Sequence, residues 1–75
     1  MRDLQRITVD PAVMSGKACI RGTRVTVRTI MGLLSSGHSP DDIVAAYPYL
    51  DLEDIAESLA YAAWIMEGRE VSLPS

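Results

Sequence analysis

The residues best suited to bind a charged partner are basic, and they are concentrated near the start of the chain. Six of the seven Lys and Arg residues lie within residues 1–28, whereas eight of the ten Asp and Glu residues lie within residues 29–75. The net charge of −3 over 75 residues conceals this separation. It predicts two surfaces with different partners; alternatively, the charges simply solvate the faces that carry them.

The basic segment is the candidate for contact with nucleic acid, because clustered cations approach phosphate groups favourably. The predicted DNA-binding residues are Lys17, Arg21, Thr23, Arg24 and Arg28. In an alternative interpretation, Arg21 and Arg24 pair with carboxylates of a later helix and fix the N-terminal segment to it.

Side chains for catalysis or metal binding are few. His38 is the only histidine and Cys19 the only cysteine, so the sequence offers no zinc ligand set. The adjacent carboxylates Asp41 and Asp42 would point about 100° apart on a helix, an arrangement unsuited to a two-carboxylate site. Gly16 and Gly22 are too far apart for a dinucleotide-binding motif. We therefore predict no catalytic residue, no metal site and no cofactor, and a protein that is not an enzyme.

Composition indicates one small globular domain over residues 1–75. Hydrophobic residues make up 48% and charged residues 23% of the chain, unlike a disordered segment. The single cysteine cannot form an internal disulfide, which favours a reducing compartment. No apolar run approaches the ~20 residues of a membrane span. We predict a cytoplasmic protein with no membrane contact.

The elements that must position these residues divide the domain into three parts. Residues 1–26 form a β-rich basic segment, residues 27–68 a three-helix region and residues 69–75 a tail. Short β-type runs at Ile7–Val9, Ala18–Ile20 and Val25–Val27 predict strands. Gly16 and Gly22 are expected at turns that need positive φ.

The first two predicted helices have clear ends. Thr26 can cap the first, whose apolar face would hold Val27, Ile30, Met31 and Leu34, and Gly37 can end it. Ser39 and Pro40 are typical of a helix start, and Pro48 would stop the second helix after its apolar residues Ile43, Val44 and Tyr47. All four aromatic residues lie in the second half of the chain, so we expect most of the core there.

The third predicted helix runs from Asp51 to Gly68. We expect the helix to bury a stripe at three- and four-residue spacing and its first half to expose its polar residues. The expected stripe is Leu52, Ile55, Leu59, Ala62 and Met66, and the expected exposed residues are Glu53, Asp54, Glu57 and Ser58.

The second half of this helix has no charged residue over residues 60–66 and must be covered on all sides. A second copy of the chain is the expected cover; alternatively, the N-terminal hairpin wraps over it. The predicted toxin or dimer interface is Tyr61, Trp64, Ile65, Met66 and Arg69.

Segments 40–47, 48–51 and 52–60 have the proportions of a helix-turn-helix. The start of the third helix, which would enter the major groove, carries Asp51, Glu53, Asp54 and Glu57. Carboxylates repel phosphates, so the basic N-terminal segment is the better DNA-facing candidate.

Residues 7–63 carry a pattern that resembles the domain-of-unknown-function family 433. The motif I-R-G-T-R at residues 20–24 is followed by S-P-x-x-I at residues 39–43 and Y-P-x-L at residues 47–50. The resemblance implies a mainly α, three-helix helix-turn-helix domain, homeodomain-like or winged-helix-like, with a short N-terminal β element and usually dimeric.

The same resemblance implies an antitoxin of a type II toxin–antitoxin pair. Such a protein silences a PIN-like ribonuclease toxin and binds its own promoter DNA as a homodimer. Arg69, Arg21 and Arg24 are then candidates to contact the carboxylates of the nuclease. The alternative is a protein-binding adaptor dimer with the same fold that does not contact DNA, which the acidic third helix favours.

Overall fold

The N-terminal part of the chain forms a short antiparallel hairpin. The computed structural model describes residues 5–12 and 14–67. Strand β1 (Ile7–Val9) pairs with β2 (Ala18–Ile20), with Ile7 opposite Ile20 and Val9 opposite Ala18. Both strands are as predicted. Gly16 and Gly22 have φ of 81° and 77°, which confirms the two positions expected to need positive φ.

The third predicted strand, Val25–Val27, is not formed. A single bridge joins Cys19 to Thr26, and the N–H of Ile20 donates to the carbonyl of Val25 at 2.9 Å. The strand cannot continue because Thr26 is already the cap of the next helix. Its side-chain oxygen accepts from the N–H of Thr29.

The first two helices match their sequence signals. Helix α1 spans Val27–Ser35, and Gly37 follows it with φ of 98°. Helix α2 spans Pro40–Ala46. Its N-cap Ser39 accepts from the N–H of Asp42, whose carboxylate accepts from the N–H of Ser39 in return. This reciprocal capping box satisfies backbone donors that the first turn leaves free.

Helix α3 spans Leu52–Glu67 and packs against both other helices and β1. The predicted end at Gly68 lies outside the described residues, as do Arg69 and the tail. With three α-helices and a two-stranded β element in the part of the chain that the structure describes, the fold is the mainly helical domain that the sequence predicts. The pairing of α2 and α3 across residues 47–51 keeps the helix-turn-helix proportions. Within residues 5–12 and 14–67, none of the helices has the length and apolar character of a membrane span.

The core is aliphatic and draws on every element, which corrects the expectation that the second half holds most of it. Of the nine buried hydrophobic residues of the described chain, six lie in the hairpin, the segment after it and α1, and three lie in the later part. Tyr49 is 64% exposed and Trp64 is 45% exposed, so these aromatics are not core residues. The buried hydrophobic residues are Ile7, Cys19, Ile20, Val25, Val27, Ile30, Ile43, Leu50 and Ile55.

The buried face of α3 also differs from the predicted stripe. Leu52, Leu59 and Met66 are exposed, and of the stripe only Ile55 is fully buried, with Ala62 partly buried. The residues buried beside Ile55 are Asp54, Glu57 and Ser58, which the periodicity places in solvent. The helix is rotated towards these polar residues because a basic side chain next to β1 compensates the charge of two of them.

Candidate functional site

Arg6 joins the hairpin to the start of α3. The Nη1 of Arg6 lies 3.0 Å from Oδ1 of Asp51 and 3.1 Å from Oδ1 of Asp54, and its Nε lies 3.5 Å from Oε2 of Glu57. We call these four residues the Arg6 cluster. Asp54 and Glu57 are only 7% and 8% exposed, so their charges depend on this guanidinium for compensation.

Backbone hydrogen bonds extend the Arg6 cluster in both directions. The N–H of Arg6 donates to Oε1 of Glu57 at 2.9 Å, and its carbonyl accepts from the N–H of Arg21 at 2.7 Å. Asp51 and Asp54 each accept from the other's N–H, at 3.1 and 2.9 Å, and so cap the start of α3. The cluster therefore fixes both the helix start and the strand beside it.

The electrostatics of the Arg6 cluster favour the charged forms of Asp51 and Arg6. The pKa of Asp51 is lowered chiefly by the N–H of Asp54 and further by Arg6. The pKa of Arg6 is raised, mainly by its hydrogen bond to Asp54. The carboxylates of the Arg6 cluster are thus paired with the protein's own cation, whereas Leu52 and Glu53 beside them stay exposed.

The sequence offered the alternative that arginines of the N-terminal segment pair with carboxylates of the third helix. Such a pairing is present, but the predicted arginines do not make it. Neither Arg21 nor Arg24 forms an ion pair with a described residue; Arg6 pairs with α3 instead. The sequence does contain a signal for a cation at this position. Asp51, Asp54 and Glu57 are spaced three residues apart and share one helix face. What the sequence did not reveal is which of the basic residues meets that face.

The segment Arg21–Arg24, which we call the basic turn, presents its arginines to solvent. Both guanidinium-bearing residues are exposed, and together with Thr8 and Asp10 they line an open cavity of about 480 Å³. Arg21 also borders a cavity of about 490 Å³ beside the Arg6 cluster. The turn thus has its two arginines beside Asp10 on the outer side and the acidic Arg6 cluster on the inner side.

Thr23 holds the basic turn together. Its hydroxyl donates to the carbonyl of Ile20 at 2.8 Å and accepts from the N–H of Val25 at 3.0 Å. Its N–H also donates to the carbonyl of Ile20, at 3.0 Å. The side chain is half-buried. Predicted as a DNA-binding residue, Thr23 has a positioning role in this turn, where it orients Arg21 and Arg24.

Lys17 and Arg28 lie apart from the basic turn. They border an apolar groove of about 410 Å³ between β2, α1 and the end of α3. This apolar groove is otherwise lined by Ala18, Thr26, Val27, Met31, Tyr61, Ala62, Ile65 and Met66. The five predicted DNA-binding residues are therefore divided between two sites, one around the basic turn and one around the groove.

The end of α3 remains uncovered by the described part of the chain. Trp64, Ile65 and Met66 are 45%, 40% and 65% exposed. Tyr61 is half-buried, and its ring centroid lies 6.1 Å from that of Trp64. The hairpin reaches only one side of this helix, so the alternative that it wraps over the apolar end is wrong for residues 5–12 and 14–67.

Comparison with models of known protein families identifies the family of this chain. The model of the family described as "Protein of unknown function (DUF433)" matches residues 7–62, which include both strands, the basic turn and most of α3. The chain belongs to the DUF433 family. The resemblance read from the sequence motifs is thereby confirmed.

Two relatives of this DUF433 chain extend the comparison. It is 36% identical over 56 residues to "Uncharacterized protein y4eO" of Sinorhizobium fredii (strain NBRC 101917 / NGR234), covering 75% of this chain and 25% of the relative. It also superposes on the crystal structure of a DUF433 member from Anabaena variabilis ATCC 29413 with a TM-score of 0.78 and 33% identity. That match covers 87% of this chain and 65% of the other. The chain spans only part of both relatives.

The residues considered for catalysis are separate in this DUF433 domain. Cys19 is 1% exposed, and its Sγ lies 3.3 Å from the carbonyl of Lys17, so it is a small buried residue of the core. His38 is exposed in the turn before α2. Among the described residues, no three His, Cys, Asp or Glu side chains are grouped as metal ligands would be.

Replacing Arg6 with Met tests the Arg6 cluster. The variant keeps the aliphatic stem but leaves Asp54 and Glu57 without their cation, so we expect a clearly lower free energy of unfolding. Urea denaturation followed by circular dichroism measures the change. Arg24→Met, which removes an exposed arginine without an ion pair to a described residue, is the matched control. Equal stability of the two variants would contradict the structural role of Arg6.

Acid should weaken the same network. Folding lowers the pKa of Asp51, so the stabilisation by its charged carboxylate is complete at pH values above the ordinary carboxylate pKa of about 4. This stabilisation is lost as the pH falls through the lower pKa that Asp51 has in the folded state. We expect Asp51→Asn to flatten the fall of the melting temperature at acid pH, since part of that fall comes from protonation of this carboxylate. Glu53→Gln, an exposed change in the same turn, should leave the fall unchanged; an Asp51→Asn profile parallel to wild type would refute the assignment.

Proposed function

We propose that this DUF433 protein is the antitoxin of a type II toxin–antitoxin pair, which silences a PIN-like ribonuclease toxin and binds its own promoter DNA as a dimer. The family resemblance motivates the proposal. The observation that carries it is the presence of two separate exposed surfaces, the basic turn and the apolar end of α3. A protein with one surface for phosphates and another for apolar side chains suits two partners.

The DNA contact is assigned to the basic turn. Arg21 and Arg24 are exposed and form no ion pair with a described residue, so their charge is available to phosphates. Thr23 and the bridge at Thr26 hold the turn in one shape, which lowers the entropy cost of binding. In a dimer the turn would occur twice.

The third helix is not assigned to base reading. Its first turn is engaged with Arg6, and its exposed carboxylate Glu53 can accept only from the amino groups of bases and repels the phosphates. This arrangement differs from a repressor whose recognition helix inserts its N-terminal residues into the major groove. DNA binding by the turn would therefore be chiefly to the backbone and strongly dependent on salt.

The protein contact is assigned to the end of α3. Trp64, Ile65 and Met66 offer exposed aromatic and aliphatic area of the kind that is enriched at interface centres. Arg69, the remaining predicted interface residue, lies outside the described residues and stays a prediction. We further propose a cytoplasmic binding protein rather than an enzyme, in keeping with the buried thiol of Cys19.

A second candidate is an adaptor dimer that does not contact DNA. The Arg6 cluster favours it, because three carboxylates and one guanidinium lie on the inner side of the basic turn. This residual negative charge beside Arg21 would oppose a phosphate that approached from that side. Measured DNA binding separates the two candidates.

DNA binding is tested by fluorescence anisotropy with the duplex upstream of the protein's own gene against a scrambled duplex, with and without the neighbouring gene product. We expect tighter binding to the native duplex that weakens as salt rises. The variant Arg21→Ala/Arg24→Ala should bind more weakly. Its slope of log affinity against log salt should be smaller by about 1 for each phosphate that the protein no longer neutralises.

Glu53→Gln is the matched control for this experiment. It changes an exposed residue at the start of α3, so it should not weaken binding if the turn makes the contact. Weaker binding by Glu53→Gln together with full binding by Arg21→Ala/Arg24→Ala would move the contact to α3. Absence of any preference for the native duplex, even with the gene neighbour present, would favour the adaptor.

Truncation of the aromatic residues tests the protein contact. We expect Trp64→Ala or Tyr61→Ala to weaken the dimer or the complex with the toxin by about 2–4 kcal/mol, as removal of a buried aromatic anchor does. Isothermal titration calorimetry measures the toxin complex and analytical ultracentrifugation the dimer. Tyr49→Ala, which removes an exposed aromatic that precedes the start of α3, is the control. Full-strength binding by both variants would place the interface elsewhere.

A further inference from the structure

We infer that the apolar groove binds the end of α3 from a second copy of the chain, with Lys17 and Arg28 of one copy facing Glu67 of the other. This inference rests on the proposed dimer and specifies its interface. It also reassigns two of the predicted DNA-binding cations to a protein contact. The groove, its charged border and the segment that fills it are all present in one chain.

The groove has the character of a protein-binding site. Its floor is formed by apolar side chains of β2, α1 and α3, and its two charged residues are on the border. Lys17 and Arg28 are exposed, and neither forms an ion pair with a described residue. An occupant that matches this site is an apolar helical segment with a carboxylate at its edge.

The end of α3 has those properties. Trp64 and Met66 are among the exposed large hydrophobic residues of the described chain, and Glu67 follows them in the last turn. The last turn holds no basic residue, so the carboxylate of Glu67 lies at the negative end of the helix dipole. A cation from another molecule would relieve this unfavourable position, and no described residue of the same chain forms an ion pair with Glu67.

Two-fold symmetry makes the arrangement self-complementary. In such an interface each contact occurs twice, because the same surface serves both copies. Each copy would place the apolar end of α3 in the groove of the other and would receive the equivalent segment in return. The apolar ends of both α3 helices would then be buried together, which assigns this surface to the second copy rather than to the toxin. Four cations would face two Glu67 carboxylates at the border. Lys17 and Arg28 would thereby act at the dimer interface, while Arg21 and Arg24 stay exposed for DNA.

Charge reversal tests the proposed pairing. We expect Lys17→Glu/Arg28→Glu to raise the dimer dissociation constant at least about tenfold, and Glu67→Lys to raise it as well, because each places like charges opposite each other. The triple variant Lys17→Glu/Arg28→Glu/Glu67→Lys should recover most of the affinity. Sedimentation equilibrium over a wide concentration range measures the wild type and these three variants at two salt concentrations.

Two controls distinguish a variant that fails to fold from a variant that folds but does not dimerise. Arg24→Glu reverses an exposed cation away from the groove and should leave dimerisation unchanged. Glu67→Lys places a cation at a helix C-terminus, which favours the folded monomer, so its thermal melt should not fall.

Three results are distinguishable. Recovery by the triple variant supports the interface whether or not the DNA and toxin titrations succeed. If the dimer dissociation constant is unchanged by the charge reversals at Lys17, Arg28 and Glu67, the groove pairing is wrong and the proposed dimer is unaffected. A chain that stays monomeric at every concentration overturns both, and the groove would then belong to a different partner.

Discussion

The pairing of Arg6 with the carboxylates of α3 is the contact on which the arrangement of this domain depends. A two-stranded β element of this length is marginal without something to pack on, and Arg6 attaches it to the longest helix. Asp54 and Glu57 are buried because that guanidinium compensates them. The same contact sets the rotation of α3 and hence which of its apolar residues remain at the surface.

This contact also separates the two candidate partner surfaces. Because Arg6 occupies the α3 carboxylates, Arg21 and Arg24 are left without an internal ion pair among the described residues and stay available to an external anion. Trp64 and Met66 are exposed at the other end of α3 because no described element covers that end. The free charge of the basic turn is thus a consequence of the Arg6 ion pairs, whereas the apolar surface of this DUF433 domain follows from the uncovered end of α3.

Local signals were sufficient for most of the secondary structure. The caps Thr26 and Ser39 and the start at Pro40 were predicted from residue types alone, because a capping side chain acts on a backbone group within three residues. The glycines with positive φ follow from the same short-range sterics. Periodicity failed on α3, where hydrophobic spacing favoured Leu52 and Leu59 and did not anticipate that paired carboxylates would be buried instead.

The sequence by itself determined the family, the helical class, the positions of the helix starts and the separation of charge along the chain. These depend on neighbours close in the chain or on overall composition. Only the tertiary structure decided which arginine meets α3, how the basic residues divide between the turn and the groove, and which face of α3 is buried. Those outcomes depend on contacts between residues 45 to 51 positions apart, where many cation–carboxylate pairings are equally compatible with the sequence and packing selects one.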